Sequence, residues 1–60
     1  MKFIAEYKPS TSKDEVVISL LDNGSYSVAV SDSKGNAAFV DISPSDFALF
    51  VSKLVEEIPA

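Results

Sequence analysis

The chain has 60 residues, 47% of them hydrophobic, no cysteine, no histidine, no tryptophan and a net charge of -4. That length and composition describe one small α+β domain over residues 1–60, too apolar for a disordered tail and without a disulfide or thiolate-metal staple. The acidic balance argues against direct binding of nucleic acid, whose phosphates call for Lys and Arg, and points to a protein partner, a basic one for preference.

At the start, "KFIAEY" (residues 2–7) reads as a fourth strand with Phe3, Ala5 and Tyr7 on one side, or as an extended arm, with "KPSTSKD" following as a loop. Glu6 and Lys8 interrupt it before a signal-peptide core could form, and no run approaches the roughly 20 apolar residues of a membrane span. A soluble, unprocessed, cytoplasmic protein that makes no membrane contact is therefore expected.

The next two segments, near 15–21 and 25–31, are strands, and the loop between them decides the faces of the sheet. A two-residue loop at Asn23-Gly24 sets Ile18 against Ala29 and Val16 against Ser31, splitting the apolar residues between two faces. A three-residue loop, Asp22-Asn23-Gly24 with Gly24 in the left-handed conformation, pairs Leu20 with Tyr26, Ile18 with Val28 and Val16 with Val30. Burial favours the second register, because a slip of one residue inverts every side chain.

A second such loop, Ser33-Lys34-Gly35, leads into a strand near 37–42 and pairs Val30 with Ala38, Val28 with Val40 and Tyr26 with Ile42. The same face stays apolar, so two independent turns agree. "SPSDFALFVSKLVEE" then carries Ser43 as N-cap, Pro44 at the first helical position and Asp46 at the third, which predicts a helix near 44–57. Phe47, Phe50, Val51, Leu54, Val55 and Ile58 follow at helical spacing, and this stripe is expected to pack across the apolar face of the sheet.

Chemistry is sparse. Without His or Cys the commonest bases, nucleophile pairs and zinc ligands are missing. In "SDSK" (31–34) Lys34 falls at a hairpin tip, where its amine is solvated, and turn chemistry explains the residues better than Ser-Lys catalysis does. Asp22 and Asp32 fall in turns at opposite ends of the meander, and "DNGS" lacks the alternating ligands of a calcium loop. No catalytic residue, metal site or cofactor is assigned, and an enzyme is not expected.

Two features point to a partner. The second face of the sheet carries Val17, Ala29 and Phe39 in one row, flanked by Ser19, Ser27 and Asp41. It reads as a homodimer or partner contact, or as a patch covered by the N-terminal segment through Phe3 or Tyr7. On the helix, Leu49 lies opposite the apolar stripe near Ser52 and Glu56, and Glu56 and Glu57 occupy the end of the helix where the dipole disfavours acids.

The stretch "VAVSDSKGNAAFVDISPSDFALFVSKL", Val28 to Leu54, resembles the short acidic actinobacterial proteins of the bald-B type, a family of unknown biochemical function commonly encoded beside helix-turn-helix regulators. Val28, Ala29, Val30, Asp32, Ser33, Lys34, Ser43, Pro44, Phe47 and Phe50 match that pattern; Ser31 stands where Arg is usual and Phe47 where Trp is usual. The resemblance implies a non-catalytic, acidic, sometimes antitoxin-like partner of a DNA-binding regulator, often oligomeric. A different class of function, an acidic inhibitor from a phage or mobile element that imitates nucleic acid, would need carboxylates gathered on one surface.

Overall fold

The computed structural model describes residues 1–59. Four strands, β1 (Lys2–Tyr7), β2 (Glu15–Leu20), β3 (Tyr26–Ser31) and β4 (Ala37–Ile42), form one antiparallel sheet in the order β1-β2-β3-β4, followed by a helix α1 (Pro44–Glu57). The chain is thus an α+β meander closed by a C-terminal helix.

The β2–β3 and β3–β4 hairpins both use the three-residue loop. Gly24 and Gly35 have φ of +90° and +88°, the left-handed region that a side chain disfavours. In the first turn the Gly24 N–H donates to the Leu21 carbonyl at 3.0 Å and the Leu21 N–H to the Ser25 carbonyl at 2.8 Å. The second turn repeats this with Gly35 on Asp32 at 3.2 Å and Asp32 on Asn36 at 2.9 Å. As a result Leu20 faces Tyr26, Val16 faces Val30 and Val28 faces Val40, so the even-numbered side chains of β2, β3 and β4 share one apolar face.

The N-terminal segment is a strand paired to β2 at the edge of the sheet, with one correction to its facing. A bulge between Phe3 and Ala5 shifts the register: Ala5 and Tyr7 pair with Ile18 and Val16 on the even face, whereas Phe3 pairs with Ser19 on the other. The extra residue turns Phe3 over relative to strict alternation.

The helix has the expected bounds, and its Ser43 cap accepts a hydrogen bond from the Asp46 N–H at 3.3 Å. Its stance differs from the expected cover. Phe47 stacks on Tyr26 with ring centroids 4.1 Å apart, and beyond that first turn α1 makes no substantial contact with any strand. No helix residue is buried, and Phe50, Val51, Leu54, Val55 and Ile58 are all exposed. The physical reason lies in the connection: Ser43 alone, in an extended conformation, separates β4 from α1, so its backbone angles set the direction in which the helix leaves the sheet. The Cα atoms accordingly spread over 33 × 32 × 16 Å, a flat shape, and among the described residues no apolar side chain is fully buried.

Candidate functional site: the open odd face of the sheet

The face opposite the even one is built by alternation alone. Register places Val17, Ala29 and Phe39 in one cross-strand row, with Glu6 of β1 beyond Val17. The neighbouring row runs Phe3, Ser19, Ser27, Asp41, and a third carries Glu15, Ser31 and Ala37. Val17, Ala29, Phe39 and Asp41 therefore come together as expected, in one sheet layer.

Because β1 lies beside β2 and not over it, the N-terminal segment does not cover this row. Phe39 stays 70% exposed and Phe3 56%. The two rings stand in neighbouring rows on the outer strands, which lie three strand spacings, roughly 14 Å, apart. Between them the floor is low, made of Val17, Ser19, Ser27 and Ala29, and Ser19 is the one buried polar residue among those described. Beside Phe39 lies a shallow hollow of about 350 Å³ whose lining includes Glu15, Ala29, Ser31 and Ala37. Phe3 joins this surface from the edge strand instead of folding over it, brought there by a bulge that has no local signal in "KFIAEY".

Electrostatically the odd face is one-sided. Glu6, Glu15 and Asp41 lie on it, and none of its register positions holds a lysine; Lys2 pairs with Leu20 on the even face. Glu15 is shared with Lys8 at 3.4 Å, an exposed pair of small energetic weight. Leu49 and Glu56 do not join this surface. Both are exposed on α1, Leu49 at 61%, and the Leu49 carbonyl accepts a hydrogen bond from the Ser52 hydroxyl at 2.8 Å.

A second polar cluster lies at one end of the sheet. The Asp32 carboxylate accepts the Lys34 N–H at 2.9 Å, the Asn36 N–H at 3.0 Å and the Asn36 side-chain amide at 2.9 Å. The Asn36 side chain first, then the backbone N–H groups, holds the Asp32 pKa below its ordinary 3.8. Asp14 accepts from the Ser33 N–H at 3.2 Å and from the Ser12 hydroxyl at 3.1 Å, and with Asp32 it borders a hollow of about 460 Å³. These bonds account for "SDSK" as turn chemistry: Lys34 reaches Asp32 through its backbone N–H. Among the described residues no three carboxylates gather in a way that could hold a metal ion. None of the described helices is long and apolar enough to cross a membrane.

No protein-family model, no curated protein and no solved structure matches this chain.

Proposed function

We propose that the protein is a non-catalytic protein-binding module of the cytoplasm that engages a basic partner, such as a DNA-binding regulator, through the odd face of its sheet. The observation that carries this reading is the combination on one face of two exposed phenylalanines, a floor of small side chains and three carboxylates, of which only Glu15 is paired, with Lys8. Exposed aromatics supply the desolvated anchors of an interface, and a single sign of charge speeds encounter with a partner of the opposite sign. The same charge repels phosphates, which supports a protein over a nucleic acid as ligand. The likeness of Val28 to Leu54 to the bald-B type adds the regulatory setting and the accessory or antitoxin-like role.

The test is capture from a lysate of the source organism with wild-type and Phe39→Asp protein, beside fluorescence anisotropy with a labelled single-stranded oligonucleotide. The expected result is a basic DNA-binding protein retained by wild type, lost on Phe39→Asp and weakened by added salt, with no anisotropy change on the oligonucleotide. Direct, salt-dependent binding of the oligonucleotide would overturn the proposal. Retention of a nuclease instead of a regulator would favour a nucleic-acid mimic.

A further inference from the structure

The single chain is larger than its mass allows for a closed fold. A compact monomer of 6.4 kDa exposes about 3,800 Å² by the usual mass scaling, and this chain exposes 4838 Å², an excess of about 1,000 Å². Its radius of gyration is 12.9 Å, where a compact domain of this length has about 10.4 Å. Besides the odd face, two apolar surfaces stand open. One is the α1 stripe, including Phe50, Val51, Leu54 and Val55; the other is the even face of the sheet, where Val30 and Val40 are exposed.

The geometry points to a second copy of this chain as the occupant of these surfaces. We infer an isologous dimer in which the α1 stripe and the even face of each copy pack against those of the other, a surface distinct from the odd face proposed for the partner. Three observations select a second copy. The excess area is close to the ~800 Å² per partner that a standard interface covers. A helix of 14 residues is marginal in water alone, and α1 has no buried residue within its own chain, so its cover has to be present whenever the chain folds. A second copy meets that condition, because it arrives in fixed ratio and carries the complement of each surface: a helix for the open sheet and a sheet for the open helix. The stripe itself bears no charge, so two copies meet there without repulsion despite the net charge of -4.

Sedimentation velocity of the full chain, with helicity followed by circular dichroism on the same dilution series, tests this. The expected mass at 100 μM is twice the 6.4 kDa of one chain, and helicity falls together with mass on dilution. Leu54→Lys, in the stripe, is expected to weaken association on the order of 30-fold or more, whereas Leu49→Lys, on the opposite side of α1, leaves it unchanged. A monomer at 100 μM overturns the inference whatever its helicity, as does a mass above the dimer or an equal loss from Leu49→Lys. Should Leu54→Lys fail to fold, the wild-type mass still decides. Failure here leaves the odd-face reading intact, since that one is scored by partner capture and Phe39→Asp.

Discussion

Gly24 and Gly35 are where single residues have the widest reach. Each ends its loop at positive φ, and a Cβ built at either would meet nothing within 4 Å, so the whole cost of a side chain there is backbone strain. Gly24→Ala and Gly35→Ala are each expected to destabilise by about 1–2 kcal/mol in urea unfolding, with Asn partly tolerated at either site. An unchanged midpoint would mean that the turns adapt without loss. Asp32 acts in the second turn through charge. Its folded pKa lies below its unfolded one, so its contribution is present above about pH 3.8 and is lost as pH falls through the folded value. As pH falls below about 4, wild type is expected to lose stability more steeply than Asp32→Asn does; parallel acid profiles would contradict the role given to the Asn36 contacts. Both glycines and Asp32 were legible in the sequence, because turn chemistry is local.

At the scale of the elements, what could be read and what could not divide along the same line. The helix begins where Ser43 and Pro44 indicate, and Ser43→Ala is expected to cost about 1 kcal/mol by removing the acceptor of the Asp46 N–H. Loss of much less than that in a thermal melt would show that the first turn is held by the Tyr26 and Phe47 stack alone. Strands β2, β3 and β4 and their shared apolar face followed from two loops of known length. The bulge in β1 did not, because pairing with β2 sets it and "KFIAEY" alternates smoothly without it. The stance of α1 was also illegible. An apolar stripe states that a helix must be covered, and nothing in its periodicity states which chain supplies the cover.

For the whole molecule, a flat plate with two unlike faces is the organising fact. The α1 stripe is uncharged and the even face is apolar except for Lys2 at its edge, and both are suited to a permanent association that completes folding. The odd face is acidic, aromatic at its edges and small-residued in the middle, suited to an exchangeable partner. Val17, Ala29, Phe39 and Asp41 were legible as one patch because alternation follows from register; Glu15 joins it by the same β2–β3 register, whereas Phe3 and Glu6 join it only through the pairing of β1 with β2. Leu49 and Glu56 remain apart from it, on the solvent side of α1.

The division of labour between the two faces is tested most directly by the mass of Phe39→Asp in light scattering, read beside its ability to retain the partner that wild type captures. The account predicts a dimeric mass, unaltered folding and no retained partner. A monomeric mass, or an unfolded chain, would place Phe39 in the self-association surface or the core and would contradict the separation of roles.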